Sequence, residues 1–319
     1  MTLLVVIVNY RTADLTTNCL RSLQAEVDSL EGIHVVVTDN ASGDGSVARL
    51  TTAVRENGWG SWASIQPLGR NGGFSHGNNA AIRPALESAD PPCYVLLLNP
   101  DTVVRPGALK ALVEFMESRP HIGIAGSRLE DPDGTPQRSA FRFPSVLSEL
   151  EGGLRLGLVS RILARWVVAP PVPEGPCQVD WVAGASMIIR RQVFDEVGPL
   201  DEGYFMYFEE VDFCLRAHCA GWPCWYVPQS RVVHLVGQSS GVTNPHAARK
   251  RRPGYWFLSR RRYFLSHHGV MKTALANLAW SSAFASYRIR RAIQRKPDRD
   301  PSKLLWDFIR YNFHPERRR

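Results

Sequence analysis

Three short apolar runs constrain the fold most: LLVVIVNY (3–10), IHVVVTDN (33–40) and CYVLLLNP (93–100), each closed by Asn or Asp. Continuous runs rich in Val, Ile and Leu match strands buried on both faces, as in a parallel sheet covered by helices. Segments of helical pattern follow near 12–25, 45–56, 75–88 and 106–118, the last with Pro106 at its start, where proline suits a first turn. The alternation predicts an α/β fold with ligand chemistry at the carboxyl ends of the strands. Asn9, Asp39, Asn40, Asn99 and Asp101 stand at those ends.

Past residue 120 the pattern is mixed. IGIAGSRL and VDWVAGASMIIRR (179–191) read as strands, 191–197 as a helix, and another helix starts near Glu209. Two strands are expected at 224–228 and 231–235, and 144–176, with several Pro and Gly, reads as a loose insertion. Helices are expected near 247–268, 270–295 and 302–311. The expected division is a first domain over 1–245 and a basic, aromatic helical extension over 246–319.

With 319 residues, 44% apolar and 21% charged, the chain can bury a sizeable core and is not disordered. No apolar run reaches the roughly 18–20 residues of a spanning helix, and the opening MTLLVVIVNYR reads as a strand rather than a signal peptide. Six cysteines show no CxxC and no zinc spacing, so reduced thiols in an intracellular chain are expected. The charge is uneven: 19 Lys/Arg against 4 Asp/Glu from Arg249 onward, and 19 against 26 before it. A basic tail on a mildly acidic body suggests an anionic partner, nucleic acid or a membrane surface.

Five clusters could carry chemistry. In LLLNPDT, Asp101 can hold Mg²⁺ or Mn²⁺ against a diphosphate, or cap the next helix after an Asx-Pro turn. In VTDNASGDGS, Asp39 can accept from a base or ribose, or the cluster simply turns the chain. Gly72, Gly73 and Gly77 of NGGFSHGNN let backbone approach a ligand closely; the spacing is not GxGxxG, and no Walker A loop is present. In FMYFEEVDFCLR, Glu209 and Glu210 lie among aromatics, where desolvation and mutual repulsion raise a carboxyl pKa as a general base requires; Asp212 and Arg216 have i,i+4 spacing. His234, at a strand end, can complete a metal site or serve structurally.

In combination these segments resemble the family 2 glycosyltransferases. VVIVNYR resembles the family's opening strand, TDNASGDGS its second strand end, NGGFSHGNNAAI its Asn/Gly loop and LLLNPDT its D-x-D metal motif. VDWVAGASMIIRRQVFDEVGPLDEGYFMYFEEVDFCLRAHCAGW resembles the acceptor and catalytic-base segment. The resemblance covers about residues 3–240 and implies a GT-A fold, with a Rossmann-like, mostly parallel sheet, and transfer of a sugar from a nucleotide diphosphate with inversion. Asn99 replaces the first Asp of D-x-D, and Glu210 stands where many members have Asp. The most similar subgroup is the bacterial rhamnosyltransferases of cell-wall linker and O-antigen synthesis, which use dTDP-L-rhamnose and often a polyprenyl-diphosphate-linked acceptor; a UDP-sugar donor is the alternative.

By resemblance, Val8, Asn9, Arg11 and Asp39 surround the nucleoside, and Asn71 and Gly72 line the donor pocket with Asn99 and Asp101. Asp101 and His234 hold the Mg²⁺ or Mn²⁺. Glu210, or its neighbour Glu209, takes the proton of the acceptor hydroxyl, with Trp181, Gly184 and Ala185 on the acceptor side. The aromatic and basic tail suits helices lying on an anionic membrane surface beside a lipid-linked acceptor, or a homodimer contact. The expected place is the inner face of the cell membrane. Nucleic acid is not an expected partner, because it leaves Asp101, Glu209, Glu210 and His234 without a role and no reader motif is present.

Overall fold

A computed structural model describes residues 3–235 and 250–313. They fall into two compact units: 3–141, 171–205 and 209–235 form the first, and 142–170, 206–208 and 250–313 the second.

The first unit starts with β1 (Leu3–Asn9), α1 (Ala13–Ser29), β2 (Ile33–Asp39), α2 (Ser46–Glu56), β3 (Ala63–Pro67), α3 (Gly73–Leu86) and β4 (Tyr94–Leu98). After β4 come β5 (Thr102–Val104), α4 (Ala108–Glu117), β6 (Ile124–Glu130) and β7 (Ala140–Phe141). The chain then supplies α5 (Val146–Leu154) and α6 (Gly157–Ile162) to the second unit. It re-enters the first with β8 (Cys177–Val179), β9 (Trp181–Val182), β10 (Ser186–Arg190), α7 (Arg191–Val197), α8 (Glu209–Cys219) and β11 (Cys224–His234). The second unit closes with α9 (Gly254–Ile293) and α10 (Leu304–Phe313).

The sheet order is β3-β2-β1-β4-β10-β6-β11-β5, with β8 beside β11. β3, β2, β1 and β4 are parallel, β10 runs antiparallel between β4 and β6, and β11 is parallel to β6. This is the mostly parallel α/β sheet that the apolar runs predict. Leu3, Val5 and Ile7 face a core shared with Leu20 and Leu23 of α1, Leu50 of α2, and Leu109 and Met116 of α4. On the other face, Gly77 of α3 lies so close to Val8 that an added Cβ would sit 2.6 Å from its Cγ1. With both faces covered, each buried Leu or Ile contributes about 1.5–3 kcal/mol, and an alternating polar pattern has no place in β1 or β4. Strand order reverses between β1 and β4, and sheets of this type bind ligands outside such a switch point.

Three local expectations are corrected. The stretch 179–191 is not one strand: β9 pairs with β7, residues 183–185 turn, and β10 enters the main sheet. The pair 224–228 and 231–235 is one strand, β11, with a register shift between Val227 and Arg231; Pro228, which has no N–H to donate, sits in that irregularity. The insertion 144–176 holds α5 and α6, and α5 opens on a reciprocal Ser145–Ser148 capping box. Of the helix expected over 247–268, residues 247–249 lie outside the described residues.

In the second unit α9 breaks at Gly269 (φ 73°, ψ 175°), matching the two helices expected there. Phe257, Phe284, Leu304 and Phe308 form its core with Trp256, Trp280 and Tyr311 around them. The aromatics expected as surface anchors are therefore largely interior: Phe257, Tyr263 and Phe264 are buried. So is Arg260, first of the three consecutive arginines, which pairs with Glu149 at 2.8 Å and donates to Asn277 Oδ1 at 2.7 Å. Its guanidinium lies over the rings of Phe264 and Phe308. A hydrophobic ring gains more from burial than from exposure, so this segment builds a core first.

Candidate active site

At the ends of β1 and β2, Asn9 and Asp39 are register partners. Asn9 Nδ2 donates to Asp39 Oδ1 at 2.6 Å, and Ser42 donates to both Asp39 oxygens, from Oγ at 2.6 Å and from N at 3.0 Å. Thr16 Oγ1 donates to Asn9 Oδ1 at 2.8 Å. Arg11, at φ 58°, donates its N–H to Ser42 Oγ and its Nε–H to Ser42 O. Asp39 is 2% exposed, and its bonds to Ser42 also hold the start of the loop that follows β2. Val8, Asn9, Arg11 and Asp39 are thus brought together.

The loop before α3 is held to this cluster. Asn40 Nδ2 donates to Gly73 O at 2.9 Å, and Asn71 Oδ1 accepts from Gly73 N at 3.0 Å. Gly73 has φ 86°, and a Cβ there would lie 1.9 Å from Phe205 O, which accepts from Phe74 N. A Cβ on Gly72 would strike the His76 ring. Glu202 fastens α3 from the far side, accepting from His76 Nδ1 at 3.0 Å and from Asn79 Nδ2 at 3.0 Å, with Arg83 at 2.9 Å. Partial burial opposes ionisation of Glu202, but the bonds from Asn79 and His76 and the charge of Arg83 hold its carboxyl below the usual range. Glu202 and His76 were within quoted motifs, yet nothing in their spacing announces the pair.

The second half of the site gathers at β4, β11 and the 183–185 turn. Asn99 N donates to Ala185 O at 3.0 Å, and Leu235 N to Asp101 O at 2.9 Å. His234 Nε2 lies 3.5 Å from Asp101 Oδ1 and 3.4 Å from Asn99 Nδ2. Asp101 does not cap α4: Glu26 of α1 does, accepting from Gly107 N, Leu109 N and Lys110 N. A buried carboxylate oxygen, a hard ligand, facing an imidazole nitrogen, a borderline one, can hold a divalent cation completed by phosphate oxygens and water. Among the described residues no third His, Cys, Asp or Glu joins a metal-ligating group. Behind the turn, burial pushes the Cys19 thiol up to about 12, which leaves it inert.

Gly184 faces Phe74 and Glu210: a Cβ added there would touch Glu210 Cβ at 3.8 Å, an ordinary contact. Glu210 is half-buried and Glu209 is 4% exposed, and an Oε2 of each is buried without a hydrogen-bond partner among the described residues. Burial pushes the Glu210 carboxyl up to about 7. Burial and the neighbouring Glu210 charge push Glu209 well above the usual range. Tyr207 and Phe208, immediately before them, have φ 70° and 69°, a strained backbone of the kind that collects at functional sites. One turn on, Arg216 bonds Asp212 Oδ2 at 2.8 Å, the i,i+4 pair the sequence predicts, and also the carbonyls of Val197 and Pro199. Trp181 stacks on Phe141 at 4.2 Å.

The structure thus joins Asn99, Asp101, His234, Ala185, Gly184 and Glu210 through direct neighbours, and collects Val8, Asn9, Arg11, Asp39, Asn71 and Gly72 through the Asn40–Gly73 bond. The family that the sequence matches gives this arrangement its class, a glycosyltransferase. The chain belongs to glycosyl transferase family 2, whose model matches residues 4–163; the model of glycosyl transferase family group 2 matches residues 94–293.

Among relatives, the N-acetylglucosaminyl-diphospho-decaprenol L-rhamnosyltransferase of Mycobacterium tuberculosis is 29% identical over 295 residues, 86% of this chain and 88% of that one. The rhamnosyltransferase WbbL of Escherichia coli K12 is 33% identical over 171 residues, 51% of this chain and 61% of that one. Among solved structures, the mannosyltransferase PcManGT of Pyrobaculum calidifontis, in complex with GDP-Man and Mn²⁺, is similar with TM-score 0.56 at 15% identity. The match covers 92% of this chain and 74% of that one. GalNAc-T7 with UDP, GalNAc and Mn²⁺ gives TM-score 0.52 at 17% identity, over 73% and 44%. These likenesses are of fold.

Proposed function

We propose that the protein transfers L-rhamnose from dTDP-L-rhamnose to a hydroxyl of a polyprenyl-diphosphate-linked sugar, with inversion, in surface-polysaccharide synthesis. The observation that carries this reading is the Glu209–Glu210 pair beside the 184–185 turn, which is itself bonded to the Asn99–Asp101 turn. Glu210, less buried than Glu209 and lifted to about 7, is the base: ionised near neutrality, it takes the acceptor hydroxyl's proton as the oxygen attacks the anomeric carbon. Beside it, burial and the Glu210 charge keep the Glu209 carboxyl well above the usual range. Gly184 leaves room next to Glu210 for the acceptor sugar, and Trp181 and Ala185 border that side.

Val8, Asn9, Arg11 and Asp39 receive the nucleoside, with Asn71, Gly72, Asn99 and Asp101 along the rest of the donor. Asp101 and His234 would hold Mg²⁺ or Mn²⁺, which supplies positive charge against the diphosphate leaving group. The sugar and acceptor named here are supported by the name of the mycobacterial relative, and the dTDP donor by a Shigella flexneri relative named dTDP-rhamnosyl transferase, 24% identical over 69% of this chain and 67% of that one. Among the described residues no helix is long and apolar enough to cross a membrane, so contact with a lipid-linked acceptor is proposed to be peripheral, at the inner face.

The test is a transfer assay with polyprenyl-diphospho-N-acetylglucosamine and a panel of dTDP- and UDP-sugars, with and without Mn²⁺ or Mg²⁺. Cation-dependent transfer from dTDP-rhamnose, with the product anomer inverted by NMR, is expected. Transfer only from a UDP-sugar would replace the donor assignment, and retained configuration would remove Glu210 as the base of a single displacement.

A further inference from the structure

The second unit contains a cleft of about 450 Å³ where the α5–α6 junction meets the end of α9 and the residues after it. Five cationic side chains line it, Arg155, Arg290, Arg291, Lys296 and Arg299, with the Tyr287 ring as its aromatic wall. Three of them are fixed. Arg155 pairs with Asp300 at 2.7 Å and lies over the Tyr287 ring; Arg290 donates to the carbonyls of Leu154 and Arg155. Arg291, 8% exposed, pairs with Asp298 and Asp300. Even with both carboxylates counted, positive charge is in excess, and Lys296 and Arg299 stand exposed at the rim. Such an arrangement of fixed guanidiniums and free cations matches phosphate oxygens.

The surroundings decide which phosphate. Leu158 is 66% exposed and Ile162 69%, both on α6 directly after the cleft's Arg155. Ile289 is 64% exposed and Ile293 77%, one turn apart on α9 and flanking Arg290 and Arg291. A soluble anion gains nothing from bare isoleucines and leucines around its site, whereas a phospholipid places acyl chains beside its headgroup. We propose that this cleft binds the phosphate of an anionic lipid headgroup while the flanking Leu158, Ile162, Ile289 and Ile293 enter the leaflet. The inference rests on the peripheral-membrane part of the reading above and gives it a site; it does not depend on the donor.

The full chain is tested by co-sedimentation with vesicles of phosphatidylcholine alone and mixed with phosphatidylglycerol. Binding to the mixed vesicles only is expected. The double variant K296E/R299E is expected to reduce it about tenfold or more, as is I289S/I293S. None of these four side chains supports the fold by a hydrogen bond or ion pair among the described residues, and unchanged circular dichroism checks that both variants fold. Equal sedimentation of wild type and K296E/R299E overturns the proposal. So does displacement from the mixed vesicles by inorganic diphosphate at constant ionic strength, because the ligand is then a soluble phosphate. Thermal stabilisation by dTDP reads the transferase separately: its loss with vesicle binding intact sinks the donor assignment and leaves the cleft standing.

Discussion

His234 Nε2 lies 3.5 Å from Asp101 Oδ1, although 133 residues separate them. Two elements make this meeting: β11 pairs antiparallel with β5, setting His234 opposite Thr102, and Leu235 N then bonds Asp101 O. An imidazole nitrogen and a carboxylate oxygen converge where the donor diphosphate is proposed to lie. Asp101→Ala is expected to lower transfer about 100-fold or more, because a cation there supplies several kcal/mol of charge stabilisation. His234→Ala is expected to raise the Mn²⁺ concentration needed for half-maximal activity. Equal metal dependence in wild type and H234A would remove His234 from the site.

Glu210→Gln is expected to cost about 10²–10⁴-fold in kcat, the usual weight of a general base, while dTDP still stabilises the fold. The wild-type rate should rise with pH through about 7, because the acting form is the carboxylate and burial holds its pKa there. Glu209→Gln removes a buried neighbour rather than the base, and its rate loss should be the smaller of the two.

The same pair bears on stability with a definite sign. Both carboxyls titrate higher in the folded chain than the ordinary value, so the folded state binds more protons. The pair's contribution to stability is therefore greatest below the ordinary carboxyl pKa of about 4.3 and is lost as pH rises through about 7. Glu209→Gln is expected to raise Tm at pH 8 and leave it little changed at pH 4. A Tm gain that is the same at both values would show that repulsion and desolvation are not its source.

What the sequence made legible was local. The apolar runs gave β1 and β4 because strands covered on both faces tolerate no polar alternation, and Asp212–Arg216 was visible as helical spacing. Glu209 and Glu210 stood out because charged residues inside an aromatic run need a reason. Tertiary partners were not legible. Tyr263 and Phe264 read equally well as surface anchors, and only the packing of α9 with α5 and α10 puts them inside. Asp39 was open to two roles, and the Ser42 bonds to its oxygens come from a loop conformation no periodicity encodes. Pro228 made one strand look like two.

Glu26 shows the same limit and gives a further test. Its carboxylate, 1% exposed, caps α4 from 81 residues away, with Oε1 at 2.5 Å from Gly107 N and Oε2 at 2.8 Å from Leu109 N. These backbone N–H groups have no partner within the helix, and the negative charge suits the helix N-terminus. Glu26→Ala is expected to destabilise by about 1–2 kcal/mol, as loss of an N-cap does. Glu26→Gln, which keeps one acceptor, should cost less. Equilibrium urea unfolding at neutral pH measures both, and equal losses would assign the effect to packing rather than capping.

Gly73 ties fold to donor site most tightly. Its φ of 86° is accessible to glycine at little cost, and a Cβ there would lie 1.9 Å from Phe205 O, a backbone atom that no side-chain rotation can clear. Gly73→Ala must therefore separate α3 from the backbone at Phe205, breaking the 2.8 Å bond from Phe74 N and disturbing the 2.9 Å bond from Asn40 Nδ2. Gly45 is the control: its φ is 83°, but nothing lies within 4 Å of an added Cβ. Gly45→Ala should cost about 1 kcal/mol of backbone strain and leave dTDP binding intact. Gly73→Ala should cost more than that and weaken dTDP stabilisation as well, since Asn71 and Gly72 move with the helix start. If both variants lose the same stability and bind dTDP equally, the close approach of Gly73 to Phe205 does not shape the donor side.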